Sequence, residues 1–120
     1  MEKYFVTYNQ SLALKELGFD EPCMGKYDTK QGDEWFLNIY SGHLNAQFSD
    51  KNKACIAPLR SQVFEWFRKQ GYDTKVHKEY AKLYLGFYWT GVAWEIVGNG
   101  SYEEAEEMCI DKLIEIVKLK

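Results

Sequence analysis

Two stretches of strict period-two alternation, each bracketed by helical signals, constrain this chain more than any other feature. Trp35, Leu37 and Ile39 alternate with Phe36, Asn38 and Tyr40, and Leu83, Leu85, Phe87 and Trp89 alternate with Tyr84, Gly86 and Tyr88. Successive side chains on a strand point to opposite sides, so each run describes a sheet with one strongly apolar face. Turn chemistry supplies the partners. Thr29–Asp33, with Gly32, joins the first run to a strand near Cys23–Tyr27, and Thr90-Gly91 joins the second run to Val92, Trp94 and Ile96. Val76, Lys78 and Tyr80 give a weaker strand before the second run. Leu44, Ala46 and Phe48 alternate again and read as a third strand of the first group; the alternative is a loop over 41–57, long for a compact domain.

Three helices punctuate these strands. Thr7 with Gln10 forms a capping box ahead of Leu12, Leu14 and Leu17, and Gly18 provides a left-handed stop. Pro58 opens a second helix that runs to about Gln70, before Gly71. Ser101 with Glu104 caps a third, whose four glutamates near the start and Lys118 near the end complement the helix dipole. The expected architecture is α+β, with antiparallel strands in two groups of three packed on three helices in the order α-βββ-α-βββ-α. It forms one globular domain over 1–120. Tyr27-Asp28-Thr29-Lys30 recurs as Tyr72-Asp73-Thr74-Lys75, which suggests an internal duplication.

Twenty aromatic residues (7 Phe, 4 Trp, 9 Tyr) must be distributed over these faces. The alternation assigns Trp35, Leu37, Ile39, Leu83, Leu85, Phe87, Trp89, Val92, Trp94 and Ile96 to helix-covered faces. It leaves Phe36, Asn38, Tyr40, Asn45, Gln47, Tyr84, Gly86, Tyr88 and Glu95 on the opposite ones. Wet faces are usually richer in Thr, Lys and Glu than in Tyr and Phe. Tyr40, Tyr84 and Tyr88, with Phe36, are therefore candidate binding residues, and Tyr84-Gly86-Tyr88 would form an open platform; cross-strand packing of the same rings is the plainer explanation. On the second helix Leu59, Val63, Trp66 and Phe67 share a core face, while Arg60, Phe64 and Arg68 form a ridge at i, i+4 spacing. That ridge is a second candidate contact surface, unless Phe64 tucks under a sheet edge beneath the arginine stems. The third helix is apolar over a wide arc from Ala105 to Leu119, which calls for cover on two sides, from within the chain or from a second copy.

Little in the sequence points to catalysis. Cys23, Cys55 and Cys109 have no C-x-x-C spacing, and His43 and His77 stand alone, so no metal module is read and the thiols are expected to be buried. Gly98-Asn99-Gly100 precedes a helix, but Glu103 occupies the third glycine position and the glutamates there would repel a pyrophosphate. No catalytic residue, cofactor or metal is expected, although a site assembled across the fold would leave no local motif. The net charge of −3 divides into −4 over 1–50, +5 over 51–82 and −4 over 83–120. A basic middle is either an internal complement to the acidic ends or a patch for an anionic partner. The longest apolar run, Leu83–Trp89, is far short of the roughly 20 residues of a membrane-spanning helix. The first five residues do not resemble a secretory signal.

Three phrases carry a resemblance: Leu12–Cys23; Ala57-Pro58 with Gln62–Arg68; and Tyr102–Glu106 with Cys109 and Leu113-Ile114-Glu115. Together they resemble a family of small uncharacterised proteins of bacteriophages and mobile elements of Bacteroidetes. The resemblance implies an accessory protein inside a bacterial cell, and it carries no activity or catalytic residues. The expected function is non-enzymatic binding, most simply of a protein partner, with no membrane. Single-stranded nucleic-acid binding through tyrosine stacking and the basic 51–82 segment is one alternative, and an enzyme with a dispersed site is another. A homodimer through the C-terminal helix is a further expectation.

Overall fold

A computed structural model describes residues 2–44 and 54–119. It contains three helices and two antiparallel three-stranded sheets in the expected α-βββ-α-βββ-α order. The chain divides into two compact units, Met1–Leu59 and Arg60–Lys120.

In the first unit, α1 (Tyr8–Glu16) starts at the Thr7 capping box, with Gln10 N–H donating to Thr7 Oγ1 at 3.2 Å and Thr7 N–H to Gln10 Oε1 at 3.0 Å. Gly18, at φ +93°, ends it. Strand β1 (Cys23–Gln31) lies between β2 (Glu34–Leu44) and β3 (Cys55–Ala57), and Gly32 at φ +61° makes the β1–β2 turn. The third strand described in this sheet is Cys55–Ala57, a short run buried at every position, and Leu44, expected to open a third strand, is the last residue of β2. Ala46 and Phe48, with Asn45 and Gln47, lie outside the described residues.

Phe5, Tyr27, Cys55 and Ala57 form a core cluster, against which Tyr8, Trp35, Leu37 and Leu59 pack. The Tyr27 hydroxyl donates to Val6 O at 2.7 Å, satisfying the one polar atom that ring brings inside. Trp35 and Leu37 take the expected covered face. The cluster stops short of Ile39, which is exposed, because β2 is an edge strand and its far end lies beyond this packing.

In the second unit, β4 (Thr74–Tyr80), β5 (Leu83–Trp89) and β6 (Trp94–Gly100) form a meander in that spatial order. Helices α2 (Arg60–Lys69) and α3 (Tyr102–Lys118) pack against each other, and α3 lies on the sheet. Ser101 and Glu104 form the capping box of α3. Val63 and Phe67 of α2 are buried, as are Ala105, Cys109, Ile110, Leu113 and Ile114 of α3. Burial within the chain leaves Leu119 as the exposed end of the wide apolar arc of α3.

The side of the sheet that α3 covers reverses the assignment made from alternation. A Cβ added to Gly86 would stand 2.8 Å from Cys109 Sγ and 3.1 Å from the Ala105 carbonyl oxygen. Gly98, paired with Gly86 across the ladder, meets Met108, and Gly100, paired with Tyr84, meets Glu104. Three glycines on one face let a helix sit close to the strands, and the small Ala105 and Cys109 side chains fit against them. Tyr84 and Tyr88 flank this seat: Tyr84 packs edge-on against Tyr102 at 5.4 Å, and Lys112 Nζ lies 5.2 Å from the Tyr88 ring centroid. The tyrosines face the helix, and the Leu83–Trp89 alternates face away. The tetrapeptide that suggested duplication also occupies unlike places, inside β1 in one unit and at the entry to β4 in the other. The two sheets differ in strand order.

All three cysteines are buried and free. Burial pushes the Cys55 and Cys109 thiols from the usual 9.0 up to about 11. The neutral thiol is the form the fold favours, so this contribution is complete below about pH 9 and is lost as pH rises toward 11. Native protein at pH 8 is expected to react with an aromatic disulfide reagent at least a hundredfold more slowly than urea-unfolded protein (order of magnitude). Rapid reaction of two or three thiols in native buffer would contradict this burial.

Candidate functional site

Among the described residues, the face of the second sheet away from α3 stands out for its exposed aromatic side chains. Register places Lys75, His77 and Tyr80 of β4 on it, beside Leu83, Leu85, Phe87 and Trp89 of β5 and Trp94, Ile96 and Asn99 of β6. Trp89 is 39% exposed, Trp94 37% and Ile96 63%. The two indoles pair across the strands at 5.3 Å, tilted by 58°. Lys75 Nζ lies 4.5 Å from the Trp94 ring centroid and 5.3 Å from that of Phe87. These are cation–π distances, worth about 0.5–1 kcal/mol each at an exposed site. Val92, expected on a covered strand, sits 87% exposed in the Thr90–Ala93 turn, where Thr90 N–H donates to Ala93 O at 2.9 Å.

The tryptophans expected in the core therefore divide. Trp35 and Trp66 are half-buried, and Trp89 and Trp94 are among the exposed large side chains. Tyr84 and Tyr88 form no open platform, because α3 occupies the space above Gly86. The Tyr88 hydroxyl is tied to Glu95 Oε2 at 2.8 Å, and that bond holds its pKa above the usual phenol range.

Phe36 and Tyr40 lie on the face of the first sheet opposite the Phe5–Tyr27 cluster, at 41% and 39% exposure, although Lys26 and Ile56 on the same face are buried. There Tyr40 and Asn38 both donate to Asp28, and Asn38 also donates to Thr29 Oγ1 at 2.9 Å. Burial opposes the Asp28 charge. The hydrogen bonds from Tyr40 and Asn38, the Lys26 ammonium and the Thr29 hydroxyl outweigh it and hold the carboxyl below its usual range. This is a satisfied cross-strand network, and it consumes the polar groups a ligand would use.

The Arg60–Phe64–Arg68 ridge is not assembled. Arg60 is 4% exposed and donates to Glu106 at 3.4 Å and Glu107 at 3.2 Å. Phe64 is half-buried beside a cleft of about 160 Å³ that also takes in Arg68, Thr74, Val76, Tyr102 and Glu106. Arg68 alone of the three is exposed. Sequence spacing placed the three on one flank, and the glutamates of α3, 46 and 47 residues away, decide which of them is buried.

A cleft of about 500 Å³ lies in the first unit between the start of α1 and the β1–β2 turn. Its Trp35 wall already stacks on Tyr8 at 5.1 Å and carries Lys30 Nζ at 5.7 Å. His77 is exposed on the open face of β4, and His43 lies in β2. Among the described residues no group of three or more His, Cys, Asp or Glu side chains is placed to hold a metal ion. No described helix is long and apolar enough to cross a membrane. Comparison with known protein families, with curated proteins and with solved structures gives no match.

Proposed function

We propose that this chain is a non-enzymatic binding protein whose contact surface is the open face of the β4-β5-β6 sheet. The observation that carries the reading is the co-location of Phe87, Trp89, Trp94 and Ile96 on a sheet face that neither helix of its unit covers. Burying one such ring costs little side-chain entropy and removes a large apolar area from water, which is why aromatic residues anchor interfaces. Monomers rarely leave contiguous apolar patches of this kind without a partner. The resemblance to phage and mobile-element proteins supports an accessory role in the cytoplasm of a bacterial cell.

The test is a paired affinity capture from host extract, with nucleic acid retained, using the wild-type chain and Ile96→Glu. Ile96 is largely exposed, so the variant is expected to fold with a melting temperature within a few degrees of wild type. Components held by the wild type and lost with Ile96→Glu support the reading. Identical capture by both chains, or none by either, counts against it.

A further inference from the structure

Beyond the open face of the second sheet, we infer that the outer edge of β2 pairs antiparallel with β2 of a second copy of this chain, across a two-fold axis beside Leu37. The two three-stranded sheets of the first units then join into one. The observation that carries this is the lack of protection on that edge. The edge strands are β2, β3, β4 and β6. Sheet edges are normally guarded by shortness, charge, proline or a bulge. β3 is three residues long and buried throughout, and β4 carries Lys75, Lys78 and Glu79. β6 carries Glu95 and is weakened by Gly98 and Gly100. β2 runs for 11 residues with Glu34, at the turn, as its one carboxylate and with no lysine, arginine or proline. Among the described residues no strand pairs with its outer side.

The backbone of this edge is set out for pairing. Only Gly32 and Asp33 separate Gln31 from Glu34, so those two partners exchange both of their backbone hydrogen bonds. Bonded and non-bonded positions then alternate along β2. Glu34, Phe36 and Asn38 bond to β1, and the N–H and C=O groups of Trp35, Leu37 and Ile39 point outward. Pairing with β1 is continuous on the β2 side from Glu34 to Ile39, and the next partner is Leu44, so the regular edge is Glu34–Ile39.

The side chains select a second copy as the added strand. In a two-fold pair about Leu37, Trp35 of each chain stands opposite Ile39 of the other, and Phe36 opposite Asn38. Directly opposite residues share a face, so Ile39, now 43% exposed, gains an indole beside it. Trp35 and Leu37 already pack on the Phe5–Tyr27 cluster, and their copies extend that apolar face past Ile39. No like charges meet, since Glu34 falls opposite Tyr40. An unrelated extended peptide meets the backbone equally well. It fills the gap at Ile39 only if it repeats this aromatic–aliphatic spacing, which every copy of the chain carries.

The experiment is sedimentation equilibrium of the full chain with amide hydrogen exchange. An edge contact lies below the roughly 1,200 Å² of stable complexes, so the dimer is expected to dissociate between about 1 μM and 1 mM. Over that range the mass should rise from that of one chain toward that of two. The Trp35, Leu37 and Ile39 amides should exchange at least about twofold more slowly at the upper end, in proportion to the dimer present. Ile39→Lys puts a charge in each gap, and Ile39→Pro removes an outward donor that β1 does not use. Each change occurs twice in a symmetric dimer and is expected to weaken association about tenfold or more. Lys69→Ala, exposed on α2, is the control and should leave association unchanged. A single-chain mass up to about 1 mM overturns the inference. So does a dimer whose three amides exchange at the monomer rate, which would lie on another surface. A dimer that Ile39→Lys leaves at full strength with its fold intact also overturns it, and this variant decides alone if Ile39→Pro does not fold.

Discussion

Gly86→Ala is expected to cost about 2 kcal/mol of stability, lowering the melting temperature by roughly 5–10 °C. The added methyl would enter the seat where α3 meets β5, 2.8 Å from Cys109 Sγ and 3.1 Å from the Ala105 carbonyl oxygen. Neither neighbour yields cheaply. One is backbone inside a helix and the other is a short, fully buried side chain, so α3 must shift as a body. Gly86 itself has an ordinary strand conformation, so alanine meets no backbone strain and the cost is a packing cost. Gly42→Ala is the control, since nothing stands within 4 Å of its added methyl, and a change within about 0.5 kcal/mol is expected. Cys109→Ala should relieve part of the Gly86→Ala cost, and the carbonyl contact should keep the rest, giving a non-additive pair. Thermal or urea unfolding of the four variants checks this. A neutral Gly86→Ala would mean that the helix lies elsewhere.

Arg60→Ala is expected to cost about 3 kcal/mol, because it strips a buried ion pair of its cation and leaves a cavity behind it. The Arg60 side chain is 5% exposed, and its two carboxylate partners differ: Glu106 is 16% exposed and Glu107 40%. Glu106 would lose its cation in a partly dry setting, whereas Glu107 reaches water. Glu107→Ala is therefore expected to cost no more than about 1 kcal/mol, in the range of surface pairs. Arg60→Met keeps the volume, and Arg60 Nε has no hydrogen-bond partner to lose. The combination Arg60→Met with Glu106→Leu is expected to recover most of the stability, as apolar replacements of buried pairs do. If Arg60→Ala and Glu107→Ala are equally mild in chemical denaturation, the pair between α2 and α3 contributes only as an exposed one would.

Local rules carried the helix ends and the element order. Thr7 with Gln10 and Ser101 with Glu104 form the capping boxes their spacing announces, and Gly18 and Gly71 adopt φ +93° as stops. Those signals are complete within four or five residues. The third strand of the first sheet escaped because Cys55–Ala57 is three residues long and buried throughout, so it has no alternation to read. The unbroken apolar run Ala54–Ala57 was its one local signal.

The faces of the second sheet were misassigned for a different reason. Alternation separates residues into two sets, and the larger apolar set was given to the helix. Gly86, Gly98 and Gly100 carry the stronger information, because a row of glycines across paired strands admits a close helix. That row appears only once the pairing register is known. Arg60 was misread in the same way, since its partners are fixed by how α2 meets α3. The acidic start of α3 was the available hint, and it was credited to the helix dipole alone.

Which face of β5 meets α3 decides which side chains are open to a partner, and proton–proton contacts by NMR measure it directly. Cross-peaks from Gly86 Hα to the Cys109 and Ala105 side chains, with none linking α3 to the side chains of Leu85 or Phe87, are the predicted result. Strong contacts from Leu85 and Phe87 to Ala105 and Cys109, with Gly86 facing water, would contradict it and return the tyrosines to the open face.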